Sequence, residues 1–118
     1  MTEETDYEVA FHERPSGRYP MDEFLDGLPA KPRGKLMKWI ERLEVEGPDL
    51  PRPYADVVRG KIRELRMVFA SDQYRCLYFF DSKKIVLTHG FVKKTDEVSK
   101  NEVERAENMM KEYFHEKV

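Results

Sequence analysis

The 118-residue chain has a single cysteine. Cys76 therefore has no partner for an internal disulfide and no second thiolate for zinc, which points to a reducing compartment and a thiol placed in the core. Long apolar runs are missing too. Nothing approaches the length needed to cross a bilayer, mean hydropathy is −0.75 and 37% of the residues are charged, so no membrane span is expected. The start, Met1 to Asp6, is acidic and lacks the basic and apolar regions of a secretion signal, so a cytoplasmic protein is expected. Asp, Glu and His form no cluster with ligand spacing, so neither a metal nor a cofactor is expected.

The net charge of −2 shows little excess of either sign, but the charges are not evenly spread. Residues 1–58 hold 8 basic against 13 acidic residues, residues 59–94 hold 9 against 3, and residues 95–118 hold 4 against 7. A basic middle between acidic flanks can offer a phosphate-binding surface while the flanks keep the chain soluble. Charge alone is equally consistent with a sheet edge guarded by lysines.

The length and the 40% hydrophobic content fit one domain, residues 1–118, with one modest core. Tyr7 to Phe11 alternates apolar and polar residues, the period of a strand, and Pro15-Ser16-Gly17 is a turn. Pro20 opens a short helix in which Met21, Phe24, Leu25 and Leu28 share one face. A second helix is predicted from Pro32 to about Glu46 on Leu36, Trp39, Ile40 and Leu43, with Trp39 in the core and Gly47-Pro48 as its stop. The proline-rich segment from Gly47 to Tyr54 reads as an extended loop. Three runs rich in β-branched and aromatic residues follow, Lys61–Phe69, Tyr74–Phe80 and Lys84–Val92, as an antiparallel meander. Ser99 and Glu102 form a capping-box pattern for a last helix with Val103, Ala106, Met110, Tyr113 and Phe114 on one face. The predicted order is β-α-α-β-β-β-α. This is an α+β domain with helices packed on one face of a mainly antiparallel sheet.

Strand pairing indicates which polar side chains converge. A four-residue loop at 70–73 sets Val68 opposite Arg75 and makes Arg66 a diagonal neighbour of Arg75, roughly 7–8 Å away. A three-residue loop at 81–83 sets Arg75 opposite His89. Glu64, Arg66, Arg75 and His89 then share one face, and the other collects Leu65, Met67, Phe69, Cys76, Tyr78, Phe80, Val86 and Val92 as the core side.

Three segments carry a further signal: Gly60-Lys61-Ile62-Arg63-Glu64-Leu65-Arg66, Gln73-Tyr74-Arg75-Cys76-Leu77-Tyr78, and Leu87-Thr88-His89-Gly90-Phe91-Val92-Lys93-Lys94-Thr95. Their series resembles the phage-derived, HigB-like branch of the RelE/ParE toxin superfamily. The motifs cover residues 60–95, and the element order extends the likeness to nearly the whole chain. The resemblance implies a RelE-like fold and the toxin of a type II toxin-antitoxin system. It also implies an antitoxin, the ribosome and messenger RNA as partners, and RNA cleavage without a metal, in which the ribose 2′-OH attacks the adjacent phosphate.

Such a reaction needs cations for the extra charge of the transition state, together with a base and an acid. By motif the resemblance assigns Arg75 the first of these roles, with Arg66 on the preceding strand and Lys94 or Lys93 after the last. His89 titrates near neutrality when unperturbed and is a candidate base or acid; a lysine with a lowered pKa is the alternative, and a hydrogen-bonded structural histidine is the bland reading. Lys61, Arg63, Lys93 and Phe91 are candidates for RNA binding, against solvation for the lysines and a core position for Phe91. Arg66 has a salt bridge to Glu64 as its structural alternative. His12 and His115 are expected at the surface. Some nuclease members carry a tyrosine in or beside the last helix, whereas residues 97–101 have none. Two other readings share the fold, a non-catalytic binding protein and a ParE-type gyrase inhibitor.

Overall fold

A computed structural model describes residues 7–93 and 99–116. The alternating N-terminal segment forms β1 (Glu8–Phe11), and two helices follow, α1 (Pro20–Asp26) and α2 (Ala30–Glu46). Pro20 occupies the first turn of α1, where its missing N–H costs nothing, and Asp22 and Glu23 sit at the positive end of the helix dipole. In α2, Leu36, Ile40 and Leu43 recur along one buried stripe. Gly47, at φ +55°, ends that helix in a conformation glycine adopts without strain.

The remaining strands are β2 (Ala55–Arg59), β3 (Ile62–Phe69), β4 (Asp72–Asp81) and β5 (Lys84–Lys93), and α3 (Lys100–Glu116) closes the chain. The sheet order is β1-β5-β4-β3-β2, antiparallel except where β1 runs parallel to β5. The α+β class and the mainly antiparallel sheet are as expected. One strand is additional: β2 is short and buries only Ala55, so its sequence carries little periodic signal.

The helices occupy both faces of the sheet, which corrects the one-sided packing expected from sequence. Leu65, Met67, Tyr74, Cys76, Tyr78, Ile85 and Leu87 pack with the buried residues of α1 and α2. Ile62, Leu77, Phe79 and Val86 pack on the opposite side with Ala106, Met110 and Tyr113 of α3. Val86 thus leaves the core side assigned to it. β4 is apolar on both sides over Cys76–Phe79 and needs cover on both. Ser99 caps α3 as predicted, its Oγ accepting from the Asn101 N–H at 3.2 Å, while Glu102 turns toward His89 and Arg105. Cys76 is fully buried, and burial pushes its thiol up to about 12.

Both hairpin registers differ from expectation. The β3–β4 turn has two residues, Ala70 and Ser71, both at positive φ, so Phe69 pairs with Asp72 and Arg66 stands directly opposite Arg75. The partner of Arg75 moves by two positions, so every side chain keeps its face. The β4–β5 turn is also two residues, Ser82-Lys83, and on its own would put His89 on the α1/α2 side. An irregularity between Leu77 and Tyr78 leaves Thr88 as an extra residue in β5, and beyond it Leu77 pairs with His89 and Arg75 with Phe91. The bulge returns His89 to the face of Arg75. Thr88 donates from Oγ1 to the Leu77 carbonyl at 3.1 Å, which ties the bulge to β4.

Candidate nucleic-acid interface

Along β3 and β4, alternation places Glu64, Arg66 and Arg75 on the face that α3 covers only in part. Directly opposed residues of an antiparallel pair lie about 4.5–5.5 Å apart, so Arg66 and Arg75 confront each other as like charges. Glu64 resolves the conflict. Its Oε1 accepts from Nε of Arg66 and lies 3.6 Å from Nε of Arg75. Asp56 of β2 steadies Arg66 at 3.5 Å, and Arg75 donates from Nη1 to the Tyr74 carbonyl at 3.1 Å and from Nη2 to Oε1 of Gln73 at 2.8 Å.

Glu64 is 2% exposed and Arg75 6% exposed, yet Oε2 of the one and Nε of the other have no hydrogen-bond partner among the described residues. Leaving such groups unpaired is costly, and both atoms are closed to solvent, so the cluster holds polar demand that its own residues do not meet. Burial lowers the Arg75 pKa from its ordinary value; Glu64 opposes the shift and Arg66 adds to it. A guanidinium so placed is poorly hydrated and suited to gripping phosphate.

The two arginines open on a cleft of about 390 Å³ that wraps the free edge of β3 beyond the reach of β2. Its far wall is Trp39 of α2 stacked on Tyr54, with ring centroids 4.6 Å apart at 24°. Lys35 joins it, donating from Nζ to the Val68 carbonyl at 2.6 Å. Trp39 is thus half-buried against the core rather than enclosed by it.

The other sequence candidates divide. Lys93 pairs with Gln73 on the face of Arg75 and so borders the guanidinium cluster. Lys94 lies outside the described residues. Phe91, opposite Arg75, packs with the α3 cluster, as its core reading anticipated. His89 shares the face but is 1% exposed, with Nδ1 3.1 Å from Thr88 Oγ1 and Nε2 3.5 Å from Glu102 without a hydrogen bond. Burial, reinforced by Arg105 and Arg14, pushes its pKa down to about 4, so the ring is neutral near pH 7 and shielded from an entering substrate.

Lys61 sits in the β2–β3 turn at the far end of β3, and Arg63 points to the opposite face, its guanidinium 5.8 Å from the Phe80 ring centre. Neither joins the cluster. His12, expected at the surface, is buried, with Nε2 3.0 Å from Oε1 of Glu112 in α3; His115 is exposed.

Sequence reasoning missed Lys35 and Tyr54 as parts of the site and gave Trp39 to the core. An aromatic residue inside a proline-rich loop was the available sign for Tyr54, because loop side chains seldom reach a core. Among the described residues, no three His, Cys, Asp or Glu side chains stand close enough to hold a metal ion, and no helix is long and apolar enough to cross a membrane.

A helix-flanked, mainly antiparallel sheet with a basic cleft at one end of its central strands makes this a small α+β protein, an architecture compatible with a RelE-like, toxin-like family. The chain belongs to the family described as Phage derived protein Gp49-like (DUF891), whose model matches residues 23–111, from α1 into α3. No curated protein matches it.

Proposed function

We propose that this protein is the toxin of a type II toxin-antitoxin pair, of the HigB-like branch, and that it cleaves messenger RNA on the ribosome without using a metal. The observation that carries this reading is the Arg66–Arg75 pair gathered around Oε1 of Glu64, with both arginines lining one open cleft. A bent RNA phosphate offers the oxygens that such a pair lacks.

In this mechanism the scissile phosphate takes the donors of Arg75 and Arg66, and both guanidiniums turn from Glu64 toward it. The carboxylate, released by its cations, accepts the proton of the ribose 2′-OH. The 2′ oxygen forms its bond to phosphorus as the bond to the 5′ oxygen breaks, leaving a cyclic phosphate and a 5′-OH. Lys93 or Lys94 supplies the proton to the departing 5′ oxygen. The arginines hold the extra negative charge of the transition state throughout. Glu64 takes this role in place of His89 because it already touches both arginines and is uncovered when they turn, whereas His89 lies beneath α3 beside Glu102. The antitoxin, the ribosome and the messenger belong to the same reading.

Primer extension on a translated message, with wild type and Arg75→Ala, tests it. Cuts that require ribosomes are expected, falling by at least about 100-fold in the variant. Absence of cuts in the wild type, with RNA association whose salt slope drops by roughly 0.7 in the variant, indicates a non-catalytic binder instead. Gyrase-dependent DNA breaks indicate the gyrase-inhibiting branch.

A further inference from the structure

We infer that the aromatic end of the Arg66–Arg75 cleft, built by Trp39 and Tyr54, is a nucleobase-binding subsite that selects the base beside the bound phosphate. The inference extends the RNA-cleavage reading from the phosphate to its neighbouring base.

Four observations converge on it. The two rings are already stacked and are held from one side by Arg42, whose guanidinium carbon lies 5.3 Å from the Trp39 ring centre and 5.9 Å from that of Tyr54. Arg42 is itself tied to Glu46, so the platform is set before any ligand arrives. The platform is also joined to the cationic strand by the backbone, since the Arg66 N–H donates to the Tyr54 carbonyl at 2.8 Å. The backbone that carries Tyr54 is therefore fixed to the strand that carries Arg66.

The cleft of about 390 Å³ is within the range of roughly 300–1,000 Å³ typical of small-ligand sites. Its lining joins the cations and amide of β3 and β4, Arg66, Arg75 and Gln73, to the rings of Trp39 and Tyr54 from α2 and the loop before β2, with Lys35 beside them. A nucleotide brings the same two chemistries together, a phosphate and a base. Tyr54 keeps 37% of its surface exposed, so part of the platform meets solvent. Its hydroxyl and the Trp39 indole N–H make no hydrogen bond to any described residue, which leaves their bonding capacity unused. Stacking on aromatic side chains with edge hydrogen bonds is how proteins read unpaired RNA bases. The aromatic contact thus comes from α2 and the loop before β2 rather than from residues 97–101, whose sequence holds no tyrosine.

Trp39 is the sole tryptophan, so its emission reports on the subsite directly. Titration with nucleoside 3′-monophosphates is expected to quench Trp39 saturably, while ribose 5-phosphate, which has the phosphate without a base, leaves it unchanged. Tyr54→Leu is expected to weaken nucleotide binding roughly ten-fold and to change the bases at which a translated message is cut; Tyr54→Phe, which keeps the ring, recovers most of the binding. Trp39 emission indifferent to nucleotides, or equal quenching by ribose 5-phosphate, overturns the subsite. So does a Tyr54→Leu protein with unaltered binding and cutting pattern. The two readings fail separately: Arg75-dependent cuts with an unresponsive Trp39 sink the subsite alone, and nucleotide quenching without any cuts sinks cleavage alone.

Discussion

Arg66 and Arg75 face each other as direct cross-strand partners, two cations on one side of the sheet with a single carboxylate oxygen of Glu64 between them. Like charges so placed repel, and the cost rises as solvent is withdrawn. Glu64 therefore supports the fold as well as the chemistry. Removing it by Glu64→Ala leaves a buried guanidinium uncompensated and is expected to destabilise the protein by about 3 kcal/mol. In a double-mutant cycle, Arg75→Ala recovers part of that loss, with a coupling of about 1–3 kcal/mol read from urea unfolding. Additive effects would show that the three side chains do not act as a unit.

The planar fork of Arg75 matters beyond its charge. Its donors already point in two directions, to the Tyr74 carbonyl and to Gln73, while Nε looks toward Glu64. A lysine keeps the charge and loses the fork. Arg75→Lys is expected to lower the single-turnover cleavage rate at least about ten-fold, and to leave more activity than Arg75→Ala. Equal rates in wild type and Arg75→Lys would reduce the residue to a point charge.

His89 sets an acid limit on stability. With a folded pKa of about 4 against an ordinary 6.5, the folded state binds the proton less readily than the unfolded chain does. Stability from this group is complete above pH 6.5, declines as the pH falls toward 4, and the loss is then of the order of 3 kcal/mol. Urea midpoints between pH 4 and 7 should fall more steeply for the wild type than for His89→Gln, whose own midpoint is free to be lower throughout. Parallel curves would place the acid sensitivity elsewhere, at carboxylates such as Glu112, whose pKa is lowered by its bonds to Arg14 and His12 against the opposing effect of burial.

Gly90 follows His89 because a helix lies against the strand there. A Cβ at this position would stand 2.3 Å from Cδ2 of Phe24 in α1, so Gly90→Ala forces the ring or the helix outward. Overpacking of this kind costs about 1–3 kcal/mol, and the melting temperature should drop accordingly. The companion change Phe24→Ala in the same chain should restore part of the loss; a Gly90→Ala protein as stable as wild type would mean that α1 yields without cost.

Much of this was legible from local pattern. Alternation along β3 and β4 placed Glu64, Arg66 and Arg75 on one face because the side-chain period of a strand is two, and a pairing shifted by two residues preserves it. The turn itself was misread, since Ala70-Ser71 carries neither the glycine nor the asparagine that usually marks positive φ. His89 reached its face through a bulge at Thr88, which no residue pattern announces. Lys61 and Arg63 looked equivalent to Arg66 as members of one basic run, yet strand parity and distance along β3 separate them from it.

By itself the sequence determined the three helices, four of the five strands and the facing of β3 and β4, for helical and strand periodicities are properties of neighbouring residues along one chain. The tertiary structure alone decided that α3 crosses to the other side of the sheet, that one carboxylate serves two arginines, and that Trp39 meets Tyr54 beside them. Those relations join segments far apart in the chain, and they depend on turn geometry and on the burial of both sheet faces, which local periodicity does not encode.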